Sequence, residues 1–237
     1  MPTAIVTGAS RGLGLALARA LAERSWDLVI DARGAEALRA ATEELAATGV
    51  KVRAHAGDVA WERHRRALIG AASSLGRLDL LVNNASVLGP SPQPELRRYP
   101  IETLESVYHA NVFGPLRLIQ LALPLLEASG RGRVLNITSD AAVEGYPGWG
   151  GYGSSKAALE QVSRVLAVEH AELRVYWADP GDMRTRMQQE AYPGQDISDR
   201  PPPEASVPGL LRLIDGDLPS GRYRTADLTA RAEATPA

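Results

Sequence analysis

Short apolar runs of β type alternate with longer helical patterns from the first residues of the chain to about position 179, and this alternation constrains the fold more than any other feature. The runs read as strands are TAIVT (3–7), WDLVIDA (26–32), VKVRAHA (50–56), LDLLVNN (78–84), GRVLNIT (132–138) and LRVYWAD (173–179). Between them the periodicity predicts helices over 12–24, 35–47, 60–75, 101–128 with a break near Gly114 and Pro115, and 152–170. A strand followed by a helix, repeated this often, indicates a parallel sheet covered by helices on both faces. Right-handed crossovers then favour a doubly wound, Rossmann-like α/β sheet, here of about seven strands once the later run SGRYRTADL is included.

With 237 residues the chain suits one large domain, expected over 1–229, with 230–237 as a frayed tail. The segment after Pro180 is rich in Pro, Asp, Gly and Gln, so about 182–205 is expected to be a long functional loop with one short helix, followed by a last helix in EASVPGLLRLIDG. A net charge of −2 gives no basic field for nucleic acid or an anionic membrane. The chain has no cysteine, which excludes disulfides, thiolate metal ligands and cysteine nucleophiles. No secretory leader is visible, and LRLIQLALPLLEA is too short to cross a bilayer, so a cytoplasmic location is expected. His55, His64, His109 and His170 show no zinc-binding helical spacing, and there is no G-x-S-x-G elbow.

The first strand ends in TGASRGLG, residues 7–14. Glycines here let a backbone approach a pyrophosphate, and the following helix offers unpaired N–H groups and the positive end of its dipole. The second strand ends in Asp31-Ala32-Arg33, and periodicity leaves open which of the three faces the bound group. Later, YGSSK places Tyr152 and Lys156 four residues apart, on one face if a helix begins near Gly151.

Taken together, TGASRGLG, GDV (57–59), NNAS (83–86), Asn111, NITS (136–139), YGSSK and DPGDMRT (179–185) resemble the short-chain dehydrogenase/reductase family in its compact single-domain branch, over essentially the whole chain. The resemblance implies a dinucleotide site at Gly8, Ser10, Arg11, Gly12, Leu13 and Gly14, with Asp58 and Val59 beside the adenine. It further implies that Asn83 belongs to the cofactor site as the asparagine that steadies the central sheet beside it, with cofactor contacts from Ala85, Pro180, Gly181, Met183 and Thr185, besides Tyr152 and Lys156. Ala32 falls where NAD-dependent members carry a ribose-binding acid, and Arg33 and Arg11 fall where NADP-dependent members are often basic. NADP(H) is therefore the expected cofactor, with NAD(H) possible and Asp31 a neighbouring carboxylate. Ser86 replaces the family's usual glycine and is expected to narrow the cleft, and the loop after Met183 matches no substrate class.

The implied chemistry is hydride transfer between a carbonyl and a secondary alcohol, with Tyr152 as general acid/base, Lys156 tuning it, Ser139 orienting the substrate oxygen and Asn111 holding a water against the lysine. A free phenol titrates near pH 10, and bringing it to neutrality takes about 4 kcal/mol. One ammonium at about 4–5 Å supplies roughly 3–4 kcal/mol at an effective dielectric near 20, so an acidified Tyr152 is expected. Tyr146, Trp149, Met183, Met187 and Tyr192 are candidates for an apolar pocket for a small-molecule carbonyl or alcohol. The alternatives are an NADP(H)-sensing binding protein and an epimerase or dehydratase of the extended branch. Leu159, Val162 and Val165 on more than one helical face, with the family habit of pairing this helix, lead us to expect a homodimer or homotetramer.

Overall fold

Every apolar run becomes a strand, trimmed by a residue or two at its ends: β1 (Thr3–Val6), β2 (Asp27–Ala32), β3 (Val52–Ala56), β4 (Leu80–Asn83), β5 (Arg133–Ile137) and β6 (Arg174–Asp179). The computed structural model describes residues 1–233. With β7 (Gly221–Arg224) the strands form one seven-stranded sheet in the order β3-β2-β1-β4-β5-β6-β7, every pairing parallel. The order reverses between β1 and β4, the place where open α/β sheets leave a crevice at their C-terminal edge.

The helices are α1 (Gly12–Glu23), α2 (Ala35–Ala46), α3 (Glu62–Ser74), α4 (Ile101–Tyr108), α5 (Gly114–Ala128), α6 (Gly150–Glu169), α7 (Arg186–Ala191), α8 (Val207–Asp215) and α9 (Thr225–Glu233). Side chains alternate across the sheet, so each face builds its own core. Ala4, Val6, Leu135 and Ile137 join Leu17, Leu21, Leu210 and Ile214 on one side. Ile5, Leu81, Val134 and Val175 join Leu68, Leu118, Leu126 and Leu166 on the other. Among the described residues no helix is long and apolar enough to cross a membrane.

Three expectations need correction. The long helix 101–128 is not broken at Gly114; it passes through a π-helical turn, His109–Phe113, between α4 and α5. Pro115 carries no N–H, so the carbonyl four residues earlier, that of Asn111, cannot accept the usual α-helical bond. The last strand stops at Arg224, and Ala-rich α9, with Asp227 in its first turn, takes over. Residues 230–233 of the expected tail therefore continue a helix, while 234–237 lie outside the described residues.

Candidate active site

The C-terminal edge of the sheet opens into a cleft of about 600 Å³. At one end the glycine turn joins β1 to α1. Gly8 stands at φ +68°, a left-handed conformation that disfavours a side chain. A Cβ on Gly14 would lie 2.5 Å from both the Gly8 carbonyl oxygen and Asn84 Nδ2, so only glycine lets α1 seat this closely. Asn84 donates to the Thr7 carbonyl at 2.8 Å, and the Thr7 hydroxyl accepts the N–H groups of Asn84 and Ala85 at 3.0 Å each. The turn is thereby strapped to the end of β4.

Ser10, Arg11, Leu13, Arg33, Asp58, Val59, Ala85, Pro180, Gly181, Met183 and Thr185 line this cleft together with Gly8 and Gly12. Gly14 and Asn83 do not. Gly14 packs beneath the turn, and Asn83 is buried in the sheet, donating to Asn136 Oδ1 at 2.8 Å. It braces β4 against β5 rather than facing the cleft. Asn84, the next residue, lines the cleft in its place.

Arg11 and Arg33 are both exposed, and among the described residues neither guanidinium has a hydrogen-bond or ion-pair partner. Arg11 Nη2 comes within 4.0 Å of the Cβ position at Gly34, which follows Arg33, so two unpaired cations stand at the same end of the cleft. Asp31, in contrast, is 1% exposed, and its Oδ1 accepts the Gly8 N–H at 2.7 Å.

At the other end, α6 begins where the glycine-heavy run lets another segment settle on it: Cβ atoms on Gly150 and Gly151 would collide with Leu96 and Tyr99. The helix is registered on β5 through side chains that alternate to its face. Asn136 donates to Ser163 at 2.7 Å, Thr138 donates to Glu160 at 2.8 Å, and Lys156 Nζ donates to the Ile137 carbonyl at 2.8 Å. Arg222 of β7 closes the set, donating to Glu160 at 2.9 Å and to the Ser139 carbonyl at 3.2 Å. Ser139, Tyr152 and Lys156 consequently line one wall of the cleft, with Lys156 Nζ 5.5 Å from the centre of the Tyr152 ring.

The electrostatics differ from the expected acidified phenol. Tyr152 is 8% exposed, and burial pushes its hydroxyl above the ordinary phenol range, while the neighbouring hydroxyls of Ser86 and Ser139 pull the other way. Lys156, 2% exposed, is lowered to about 8 by desolvation. Desolvation penalises both charged forms, and it is the largest cause acting on each group.

Asn111 does not line the cleft, and its side chain has no capacity left for a water. Its Oδ1 accepts Ser86 Oγ at 3.1 Å and Val87 N at 2.9 Å, and its Nδ2 donates to the Val87 carbonyl at 2.9 Å and Ser155 Oγ at 3.0 Å. A water relay at this residue would have to use the main-chain carbonyl left without an α-helical donor. Ser86 does enter the cleft, as its bulk predicted. The Ser139 hydroxyl donates to Asp140 Oδ1 at 2.9 Å, and Tyr146 donates to the same carboxylate's Oδ2 at 3.0 Å. Trp149, Met183 and Met187 line the cleft with Leu88, whereas Tyr192 stands behind, its ring centre 6.1 Å from that of Trp149.

The family model described as short chain dehydrogenase matches residues 2–196. The chain belongs to the short-chain dehydrogenase family. Over 97% of its length and 86% of the relative's, this short-chain dehydrogenase is 36% identical to the rhamnolipids biosynthesis 3-oxoacyl-(acyl-carrier-protein) reductase of Pseudomonas aeruginosa. It is 34% identical to 2-(R)-hydroxypropyl-CoM dehydrogenase of Xanthobacter autotrophicus, covering 83% of this chain and 80% of that one. A solved short-chain dehydrogenase of Shigella flexneri complexed with NADP superposes with a TM-score of 0.88 at 28% identity, covering 95% and 97% of the two chains. The short-chain dehydrogenases are oxidoreductases that use a nicotinamide dinucleotide, and the glycine turn fits that group: Gly8, at φ +68°, and Gly12 bring bare backbone to the cleft at the N-terminus of α1.

Proposed function

We propose that this short-chain dehydrogenase is an NADPH-preferring reductase that converts a small carbonyl compound to a secondary alcohol, with Tyr152 as the proton donor. The observation that carries the proposal is the placement of Ser139, Tyr152 and Lys156 on the wall of the same cleft whose far end holds the glycine turn and the unpaired Arg11 and Arg33. Gly8, Gly12 and the N-terminus of α1 would hold the pyrophosphate, and the two guanidiniums suit a 2′-phosphate through charge-assisted hydrogen bonds. When bound, the nicotinamide supplies the hydride at its C4.

The chain's own residues handle the proton. A phenol pushed upward by burial stays protonated at neutral pH, which suits delivery of a proton to an oxygen gaining negative charge. Ser139 turns its hydroxyl from Asp140 to that oxygen, and Ala141 N–H, which already donates to Ser139 Oγ at 3.2 Å, keeps the serine in place. Lys156 uses one of its three N–H donors on the Ile137 carbonyl and keeps two for the cofactor side of the cleft. Leu88, Trp149 and Met187 offer an apolar wall to the rest of the substrate. Residues 1–229 act as one catalytic unit in this proposal, located in the cytoplasm. A homodimer or homotetramer uses the α6 face where Val165 is 44% and Val168 79% exposed, and light scattering at micromolar concentration tests the assembly.

The functional test is loss of NADPH absorbance with a panel of ketones, aldehydes and quinones. Tyr152→Phe is expected to lower turnover by about 10²–10⁴-fold with NADPH binding retained. Turnover retained in that variant would refute the assignment.

A further inference from the structure

Asp31 is the carboxylate nearest to where a ribose-binding acid belongs, yet its hydrogen bonds point elsewhere. Oδ1 accepts the N–H of Gly8 at 2.7 Å, and Oδ2 is paired with His64 Nε2 at 2.8 Å. The acceptor is a carboxylate, so the imidazole nitrogen is the donor. Both residues are interior, 1% and 7% exposed. His64 comes from the first turn of α3, and its ring packs against the chain at Gly57, where a Cβ would sit 2.3 Å from Nδ1. The Asp31 carbonyl accepts Ala9 N at 2.9 Å, and the Ala32 carbonyl accepts Gly57 N at 3.0 Å. A continuous path thus runs from the glycine turn through Asp31 and His64 to Gly57, the residue before cleft-lining Asp58.

We infer that Asp31 and His64 form a positioning pair for the dinucleotide, fixing the glycine turn relative to the Gly57–Asp58 wall, and that Asp31 takes no part in choosing between the two nicotinamide cofactors. This rests on the nicotinamide-binding reading above. Physically, the Gly8 N–H is held by a charged acceptor in a left-handed turn, and the pair stiffens a backbone that must meet a pyrophosphate at close range. A carboxylate whose two oxygens are taken by the Gly8 N–H and the His64 imidazole, and which is 1% exposed, is withdrawn from the ribose. Cofactor selection is then left to Arg11 and Arg33.

The test is calorimetric titration of the full chain with NADPH and with NADH, alongside thermal melts without cofactor to confirm folding. Asp31→Ala and His64→Ala are expected to weaken both cofactors by about ten-fold or more, with the NADPH-to-NADH affinity ratio within about two-fold of wild type. His64→Gln, whose amide nitrogen occupies the place of Nε2, is expected to restore both affinities to within about three-fold. Arg33→Ala, in contrast, is expected to weaken NADPH selectively. A changed ratio in Asp31→Ala, or unchanged affinities in both alanine variants, overturns the inference; if Asp31→Ala does not fold, the two His64 variants decide it. Wild-type protein that binds neither dinucleotide overturns the functional proposal itself, a result distinct from wild-type binding with unaffected variants.

Discussion

Replacing Lys156 by methionine is expected to stabilise the protein at neutral pH while removing its activity. Lys156 is 2% exposed, and desolvation lowers it from 10.5 to about 8. That difference corresponds to about 3 kcal/mol. Because the folded value is lower than the unfolded one, the unfolded chain binds more protons between pH 8 and 10.5, and stability rises with pH across that window. Below pH 8 the folded protein carries the full cost of a buried ammonium. Methionine has similar length and no charge, so it loses the bond to the Ile137 carbonyl, worth about 1 kcal/mol, but escapes the desolvation cost. The variant is therefore expected to be about 2 kcal/mol more stable than wild type near pH 7 and slightly less stable near pH 10.5. For a chain of this size 1 kcal/mol moves Tm by about 2–4 °C, so the Tm difference between the two proteins swings by roughly 6–12 °C across the window. Circular dichroism melts of both proteins at matched pH values read this directly, because titrations of other groups are common to both. A Tm difference that stays flat from pH 8 to 10.5 refutes the burial argument. The sequence contains only two lysines, Lys51 and Lys156, so a lysine-selective isotope label can place the titration on the residue independently.

Three further outcomes follow from contacts near the site. Gly151→Ala would place a Cβ 2.2 Å from the buried Tyr99 ring, and overpacking of this kind costs about 1–3 kcal/mol; denaturant unfolding should show it, together with reduced kcat from the displaced neighbour Tyr152. Ser86→Ala removes a hydroxyl that favours the ionised form of Tyr152, so the pH profile for alcohol oxidation should move to higher pH by about one unit or less, while Ser86→Thr should leave it in place. Arg222→Ala strips Glu160, 3% exposed, of its cation, with an expected stability loss of about 3 kcal/mol and a lower kcat because the Ser139 carbonyl is released; a wild-type unfolding curve would show that the cluster matters less than its burial suggests.

Strands β1, β2, β4, β5 and β6 were legible because each is a short apolar run closed off by turn residues, and a buried parallel strand has little else it can be, whereas β3 lies at the sheet edge, half-exposed, and was legible from its place in the alternation. The end of the chain was harder. SGRYRTADL carries alternating residues that resemble one strand, and the switch to α9 after Arg224 depends on helix-favouring alanines beyond the run itself. Within the site, Tyr152 and Lys156 were legible because one helix sets their spacing. The partners of Asn111 and Asp31 were not, since Asn111 reaches Ser155 across 44 residues and Asp31 reaches His64 across 33. Residue type says that a buried amide or carboxylate must be satisfied, but only the fold says by whom.

The departure from the expected acidified phenol has the same origin. A same-face ammonium suggests attraction, and attraction alone favours a phenolate. Yet the elements that bring Tyr152 and Lys156 together also bury them: α6 is pressed on β5 through Asn136, Thr138 and the Ile137 carbonyl, and the 96–99 segment closes over its first turn. Excluding water penalises each charge separately before the pair can interact, so the protein alone holds a protonated phenol beside a lysine that loses its proton more readily than usual. The proton-transfer properties of the pair therefore rest on how tightly α6 is packed against the sheet as much as on the identity of the two side chains.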